Sequence, residues 1–219
     1  MSTDPVSRSA RPSRPSRDEV RRALLDAAAQ VFARRGIDAA SLDDVAAAAG
    51  FTKGAVYSNF GSKDGLVAAL VDDKVTAYLD TGLEAVSDAA TPLVERAQTL
   101  GDQLTLAFDR QRDWTLLFLE LWQRAVRSGR TDGAFLDRRR ELHAAVTTAI
   151  TDHFSQAGAP LPLPPAELAT VLLALSNGLA IERHADPASV PDQLLGRVLT
   201  LVMGGGANDV RAAGPRRGS

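Results

Sequence analysis

The sequence has no cysteine, which excludes a disulfide framework and any catalysis that depends on a thiolate. It has only three histidines, His143, His153 and His184, and no two of them stand at the i, i+4 spacing of a helical zinc site. We therefore expect no metal and no cofactor. No apolar run reaches the ~18 residues that span a bilayer, and the N-terminal segment lacks the apolar centre of a secretory signal. These absences favour a cytoplasmic protein without a membrane partner.

Alternation of apolar and polar residues, which is typical of a half-buried strand, is also missing over any useful length. Alanine and leucine dominate instead, and apolar residues recur at spacings of three and four, so the sequence predicts an all-α fold of about nine helices. The segment 82–90 could end the fourth helix or begin the fifth. The predicted helices cover 17–35, 41–50, 52–60, 62–80, 92–110, 113–128, 132–157, 165–185 and 190–203.

Both ends of the sequence are poor in apolar residues, and we expect a disordered basic arm over 1–16 and a flexible tail over 205–219. Arginines recur every three residues in and beside the arm, where they could contact DNA or simply keep the segment soluble. They are Arg8, Arg11, Arg14 and Arg17. The net charge is +3 over residues 1–63 and −5 over the remainder, which fits a small anion-binding head on a larger body.

Residues 41–60 form the most informative segment, because two short predicted helices meet there at a glycine. Ser41 and Asp44 match a capping box at the start of the first helix, and Thr52 is placed to cap the second. Gly50 can adopt the positive φ that the corner needs. The pattern predicts a helix-turn-helix whose second helix enters the DNA major groove, although many helical proteins contain such a corner without binding DNA.

The second of these helices carries side chains suited to DNA. Thr52 and Lys53 stand at its N-terminus, where free N–H groups and the helix dipole favour phosphate. We expect Lys53 to face base edges, and Tyr57 and Lys63 to contact phosphate. The predicted DNA contacts are Ser41, Thr52, Lys53, Gly54, Ala55, Tyr57, Ser58, Asn59 and Lys63.

This part of the sequence resembles the signature of the TetR-type transcriptional repressors over about residues 18–70. The segments that carry the resemblance are Ser41–Ala46, Gly50–Gly54 and Tyr57–Leu66. Gly65 stands where an acidic residue is more usual, and Ala55 where Thr or Ser is more usual. The resemblance implies a homodimeric, two-domain, all-α protein. Its C-terminal body would bind a small effector and dimerise through its last two helices.

We therefore interpret the protein as a ligand-responsive repressor that leaves a near-palindromic operator when a small, mostly apolar effector binds. A helix-turn-helix domain is expected over 17–62, and a ligand-binding and dimerisation domain over 63–204. The expected partners are double-stranded operator DNA, the effector and a second copy of the chain. Two alternatives stay open, a helical DNA-binding protein without effector control and a helical enzyme. The sequence has no glycine-rich phosphate loop after a strand and no serine-centred elbow, so we expect no enzyme.

Trp114, Phe118 and Trp122 recur every four residues, so they share one face of a predicted helix. The stripe could be ordinary core or the wall of an effector pocket. Glu120 and Arg124, one turn apart, could form a surface ion pair or provide polar anchors in that pocket. The predicted effector contacts are Phe108, Trp114, Phe118, Glu120, Trp122, Arg124, Phe135, His143, Leu173 and Asn177.

The last two predicted helices each carry a leucine-rich stripe. Two such helices from each of two subunits could form a four-helix bundle, or both stripes could face the core of their own domain. The predicted dimer contacts are Leu168, Leu172, Leu175, Leu179, Leu194, Leu195, Val198, Leu199 and Val202.

Overall fold

The computed structural model describes residues 15–86, 90–110, 112–129 and 133–212, and every regular element in these ranges is a helix. The predicted all-α class is therefore confirmed. The helices are α1 (Arg17–Arg35), α2 (Leu42–Ala49), α3 (Lys53–Phe60), α4 (Lys63–Val86), α5 (Leu93–Arg110), α6 (Arg112–Ser128), α7 (Ala134–Ala157), α8 (Pro165–Ala185) and α9 (Leu194–Ala212).

Three helix boundaries differ from the sequence prediction by more than two residues. The fourth helix extends past residue 80 to Val86, so the first part of the ambiguous 82–90 segment belongs to α4, while 87–89 lie outside the described residues. The last helix begins four residues later than predicted, at Leu194, because Pro191 opens a turn before it. It continues to Ala212, through residues expected in the tail, since an existing helix lengthens at little cost.

The predicted N-terminal arm is mostly outside the described residues, including Arg8, Arg11 and Arg14. Its last residue, Ser16, belongs instead to the N-cap of α1. The Ser16 hydroxyl accepts a hydrogen bond from the Glu19 N–H at 3.2 Å, and the Glu19 carboxylate accepts one from the Ser16 N–H at 2.6 Å. These bonds fix the start of α1 and lower the pKa of Glu19.

A first hydrophobic core joins α1, α2 and α3 to the first half of α4, where Leu66, Leu70 and Val71 are buried. Leu117 and Leu121 of α6 are buried in the same core. We call α1–α3 with the first half of α4 the head, and the remaining helices the body. The core of the head is thus completed by a helix from the body, and α4, which begins directly after the predicted domain boundary at residue 62, runs from the head into the body without a break.

A second hydrophobic core lies among α5, α7, α8 and α9. At its edge α5 and α9 meet backbone to backbone, through Gly101 and Gly196. A methyl group on Gly101 would lie 2.3 Å from the Cα atom of Gly196, which is far inside van der Waals contact. The crossing therefore requires glycine at Gly101.

Arg183 connects the end of α8 to α5 and to the loop before α9 through hydrogen bonds. Its Nε and Nη2 atoms donate to the two carboxylate oxygens of Asp109 at 2.7 and 2.8 Å. Nη2 also donates to Asp192 at 2.7 Å, and Nη1 to the Val190 carbonyl at 2.8 Å. The guanidinium lowers the pKa of Asp109, and the two carboxylates raise that of Arg183.

Candidate nucleic-acid interface and effector cavities

The helix-turn-helix has the local geometry that the sequence predicts. Asp44 and Ser41 form a complete capping box at α2, and Gly50 ends that helix with φ +74°. The Thr52 hydroxyl caps α3 by accepting a hydrogen bond from the Ala55 N–H at 3.3 Å. Val56 is the buried residue of α3, so most of this helix faces outward.

Lys53 extends from the first turn of α3 towards α2. Its Nζ atom lies 2.8 Å from a carboxylate oxygen of Asp43, which raises the lysine pKa, and 6.0 Å from the centre of the Tyr57 ring. Lys53 and Tyr57 are both exposed. A cation and a phenol thus share the exposed face of α3, and Asp43 forms an ion pair with the cation.

Lys63 lies at the start of α4 and binds main-chain carbonyl groups. Its Nζ atom donates to the carbonyl oxygens of Ala40 at 2.6 Å and Asp38 at 3.0 Å. An ammonium has three donors, so one hydrogen remains for a phosphate. Lys63 therefore holds the loop before α2 in place, a role that the sequence motif did not indicate.

Three other predicted DNA contacts already bond within their own segments. Ser41 takes part in the α2 capping box, and the Ser58 hydroxyl and the Asn59 amide both donate to the Ala55 carbonyl, at 3.0 and 2.8 Å. A groove beside Ser58 and Asn59 contains Arg17, the last of the arginines that recur every three residues along the predicted N-terminal arm. Its position at the first turn of α1 adds a cation to the predicted DNA-binding surface.

Two neighbouring cavities in the body share Tyr78 as a lining residue, and the larger of these two has a volume of about 180 Å³. None of the ten predicted effector contacts lines it. Arg96 is its charged lining residue, with 4% of its surface exposed, and His153 lies beside it with its Nδ1 atom 3.2 Å from the Arg96 Nη1 atom. Burial, and then the Arg96 charge, lower the pKa of His153. The lining is Tyr78, Leu79, Gly82, Leu93, Arg96, Ala97, Leu100, Ala145, Val146, Ala149, Ile150, His153, Phe154, Leu172 and Met203.

A smaller cavity of about 60 Å³ lies on the other side of Tyr78 and is more polar. Four predicted effector contacts, Phe108, Trp114, Phe118 and Asn177, line it together with the Tyr78 side chain. The Tyr78 hydroxyl is hydrogen-bonded to Ser176, and burial raises the tyrosine pKa. Tyr78 therefore stands between the two cavities, on the helix that begins beside α3.

The predicted polar anchors Glu120 and Arg124 reach neither cavity. Both carboxylate oxygens of Glu120 accept from the Ile37 N–H, each at 2.9 Å. The Arg124 Nη2 atom lies 2.8 Å from Glu120 and 2.7 Å from Asp38. Gly36, with φ +78°, turns the chain so that the Ile37 N–H points at this carboxylate. The pair therefore ties α6 to the turn after α1 and joins the body to the head.

The remaining predicted effector contacts also lie outside both cavities. Trp122 and Phe135 pack edge to face, with ring centres 6.3 Å apart, and the Arg139 guanidinium lies 4.2 Å above the Trp122 ring. His143 bonds through Nε2 to α8, at the Ala166 carbonyl and the Thr170 hydroxyl. Leu173 is buried and lines neither cavity.

The predicted dimer stripes divide into two groups. Four leucines are buried within their own chain, so they belong to the core of the body and are not available to a second subunit: Leu168, Leu172, Leu195 and Leu199. Five residues are half-buried: Leu175, Leu179, Leu194, Val198 and Val202. Apolar or small residues outside the predicted stripes are exposed beside them, namely Val171 (45%), Ala174 and Gly178 on α8 and Leu201 (73%) on α9.

Two other kinds of site, a membrane-spanning helix and a metal centre, are absent from the described ranges. No helix there has the length and apolar character to cross a membrane. Among the same residues, no group of three or more potential metal ligands lies close enough together to hold an ion.

Two family models match successive parts of the chain. One is described as bacterial regulatory proteins of the tetR family and matches residues 24–70, which include α2 and α3. The other is described as the C-terminal part of BetI-type transcriptional repressors and matches residues 93–203, about half of the chain.

Individual proteins agree with these models. The HTH-type transcriptional repressor Rv3405c of Mycobacterium tuberculosis is 41% identical over 83 residues, which cover 37% of this chain and 42% of that protein. The repressor KstR2 of Rhodococcus jostii is 31% identical over 135 residues, or 51% and 66% of the two chains. Each match therefore spans less than two thirds of the relative's length.

A solved structure shows the same fold along nearly its whole length. The transcriptional regulator FadR of Bacillus subtilis, determined in complex with stearoyl-CoA, is 14% identical with a TM-score of 0.67, covering 84% of this chain and 98% of that one. The family and the relatives are transcriptional regulators and not enzymes. With an outward-facing recognition helix in the head and both family models matched in order, the chain belongs to the TetR family of transcriptional regulators.

Proposed function

We propose that the protein is a ligand-responsive transcriptional repressor that binds a near-palindromic operator as a homodimer and is released by a small, mostly apolar effector. The observation that carries this proposal is the course of α4. This helix begins at Lys63, directly after the turn that follows α3, and its residues Tyr78, Leu79 and Gly82 line the larger cavity. A change in the shape of the cavity thus acts on the helix that enters the head.

The larger cavity is the proposed effector site because its walls are almost entirely apolar. A dry apolar cavity of about 150 Å³ can bind benzene, so about 180 Å³ suits one aromatic ring or a short aliphatic chain. The FadR structure was solved with stearoyl-CoA, which supports an effector with an apolar part in this fold. The smaller cavity beyond Tyr78 gives a longer ligand room if that side chain turns.

Release follows from a shift between two arrangements of the head and the body. An effector that binds one arrangement more tightly increases the population of that arrangement. The shift in the equilibrium constant cannot exceed the ratio of the effector's affinities for the two arrangements. Two contacts carry the shift to the head: the continuous helix α4 and the Glu120 carboxylate, which α6 holds against the Ile37 N–H. Movement of either one changes the distance between the recognition helices of a dimer.

The exposed face of α3 is the proposed surface for reading DNA. A two-fold dimer would place two such helices in successive major grooves, so the half-sites should lie about one or two helical turns apart. Lys53 would leave Asp43 to meet a base edge, and Tyr57 and Lys63 would contact phosphate.

The proposed dimer surface is the outward side of α8 and α9, where Val171 and Leu201 are exposed. We expect the double variant Val171→Glu with Leu201→Glu to be monomeric and to lose operator binding, because it places carboxylates in an apolar interface. Val126→Glu, at an exposed position on α6, is the matched control and should stay dimeric. Sedimentation measures both, and a dimeric double variant would place the interface elsewhere.

Operator release tests the proposal as a whole. The full chain is mixed with DNA from the regions flanking its own gene, and the mobility shift is repeated with small aromatic and aliphatic compounds. We expect the DNA fragment that shifts to contain a near-palindromic sequence, and we expect at least one compound to abolish the shift. A shift that no ligand of the cavity alters would support a helical DNA-binding protein without effector control.

A further inference from the structure

The N-terminal arm carries a basic repeat that the recognition helix does not account for. Two prolines, Pro12 and Pro15, alternate with its arginines at the same interval of three residues. Proline favours the polyproline II conformation, which completes one turn in three residues and rises about 3.1 Å per residue. In an arm that adopts this conformation on DNA, the arginines would form one row with a spacing of about 9 Å. They are Arg8, Arg11, Arg14 and Arg17.

The described residues show where this arm joins the head. The capping box of Ser16 and Glu19 starts α1 at Arg17, and Pro15, directly before the cap, lines a groove together with Arg17. The arm therefore joins the head beside the recognition helix α3. From the helix-turn-helix, the same groove is lined by Gly50, Phe51, Thr52, Ala55, Ser58 and Asn59.

Arg17 continues the basic row onto the folded head. It is exposed, and among the described residues it forms no ion pair. Two other arginines of α1 are already paired, Arg22 with Asp73 and Arg35 with Asp44, each at 2.6 Å. A guanidinium that has no carboxylate partner and lies beside a DNA-reading helix is placed to bind phosphate.

The geometry of DNA places the minor groove within reach of the arm. A helix in the major groove is bordered by phosphate backbones, and beyond each backbone lies a minor groove about 6 Å wide. The 14 residues before Pro15, at about 3.1 Å each, can extend about 43 Å, which is more than one helical turn of about 34 Å. Narrow, A·T-rich minor grooves attract arginine, whereas a G·C pair places an amino group there.

We propose that the N-terminal arm enters the minor groove beside each half-site of the operator, with Arg8, Arg11 and Arg14 in the groove and Arg17 on the phosphate backbone between the groove and α3. This inference rests on the proposed function, because it extends the DNA contacts of the same head. The recognition helix reads the half-site, and the arm reads the composition of the base pairs outside it. The recognised sequence is thereby longer than the major-groove contacts alone would make it.

Two triple variants with the same change in charge test the arm. The arm variant carries Arg8→Gln, Arg11→Gln and Arg14→Gln. The control, near the other end of the chain, carries Arg211→Gln, Arg216→Gln and Arg217→Gln. Both variants should keep the helical circular dichroism of the parent chain, because glutamine and arginine have similar helix propensities.

The probes are two DNA duplexes that share the half-sites found by the mobility shift and differ in their flanks, which are A·T-rich or G·C-rich. In fluorescence anisotropy, we expect the parent chain and the control to bind the A·T-flanked duplex about 5- to 20-fold more tightly, an effect comparable to one unfavourable base pair. The arm variant should bind both duplexes alike. Its salt slope should be lower by about two to three, since each lost phosphate-neutralising cation removes about 0.9.

The single variant Arg17→Gln tests the contact at the edge of the groove. It should weaken binding to both duplexes alike and lower the salt slope by about one, because a phosphate contact carries no base preference. An unchanged slope would refute this contact.

Several outcomes would overturn the inference. A parent chain without a flank preference, or an arm variant that retains it, would show that the arm does not read the minor groove. An equal loss in the control would reduce the effect to total charge. In each of these cases the half-sites are still recognised, so the proposed repressor stands. A full chain that shifts no DNA fragment would refute the proposed function and this inference together.

Discussion

Glu120 of α6 lies at the junction between head and body, where its carboxylate accepts a hydrogen bond from the backbone of the head. Both of its carboxylate oxygens lie 2.9 Å from the Ile37 nitrogen, and Arg124 bonds to it one turn further along α6. Replacing Glu120 by Ala removes the acceptor of the Ile37 N–H. The Ile37 side chain is buried in the turn after α1. Replacing it by Gln removes the charge but keeps an oxygen that can accept.

The expected magnitude follows from these contacts. A hydrogen bond to a charged group contributes about 1.5–3 kcal/mol, and a surface pair at i, i+4 about 0.3–0.5 kcal/mol. We therefore expect Glu120→Ala to lower the free energy of unfolding by about 2–3 kcal/mol and Glu120→Gln by about 1 kcal/mol. Glu141→Ala, which removes an exposed ion pair with Arg138, should cost less than about 0.5 kcal/mol.

Urea denaturation followed by circular dichroism measures all three variants against the parent chain. The expected order of destabilisation is Glu120→Ala, then Glu120→Gln, then Glu141→Ala. A Glu120→Ala chain as stable as Glu141→Ala would show that the contact with Ile37 does not hold the junction together. The described role of the Glu120 carboxylate in linking body and head would then be wrong.

Other predictions concern DNA binding and packing. Lys53→Ala should weaken operator binding by about 1–3 kcal/mol and relax base preference, measured by fluorescence anisotropy on operators with single base changes; an equal loss on all sequences would place Lys53 on the backbone. Lys63→Ala should weaken all sequences alike and lower the salt slope of binding by about one, and an unchanged slope would limit Lys63 to its carbonyl contacts. Gly101→Ala should lower the melting temperature because the added methyl group forces α5 away from α9. Gly82→Ala is the control, since its methyl group would have no neighbouring atom within 4 Å, and it should not lower the melting temperature. Equal melting temperatures of the two variants would refute the close crossing. Arg183→Ala should cost about 1.5–3 kcal/mol in thermal unfolding, since it leaves Asp109 and a carbonyl without their donor, and a smaller loss would show that solvent replaces it.

Features that depend on neighbouring residues were predictable from the sequence. Ser41, Gly50 and Thr52 mark helix ends because their bonds and dihedral angles involve residues at most three or four positions away. The end of α4 was not predictable in this way. Gly82 weakens a helix without ending it, and no capping residue ends the helix at residue 80. The local sequence indicates where helix propensity is low, but it does not indicate where tertiary packing keeps the helix intact.

The candidate effector site depends on contacts that no single helix contains. The period-four stripe correctly places Trp114 and Phe118 on one face of α6, but α7 divides that face, so Trp122 packs under Arg139 instead of reaching a cavity. Arg96 resembles any polar residue of an amphipathic helix, and its burial results from the approach of α7. The sequence did not indicate that it lines a cavity.

The leucine stripes of α8 and α9 show the same limit. Each helix has apolar residues on more than one side, so spacing alone could not distinguish the inner side from an outer one. Packing against α5 and α7 buries Leu168 and Leu195 within the chain and leaves Val171 and Leu201 outside. Which face is available to a second subunit is a property of the assembled body.

Asp43 acts as an internal counterion for Lys53. In the proposed complex the ammonium would move to DNA and leave a bare carboxylate beside the phosphate backbone, so on arbitrary sequences the exchange would replace one anion by another with little gain. A base edge that accepts a hydrogen bond from Lys53 adds an interaction that Asp43 does not supply. The ion pair should therefore shorten the time spent at incorrect sites and increase the contrast between the operator and the rest of the genome.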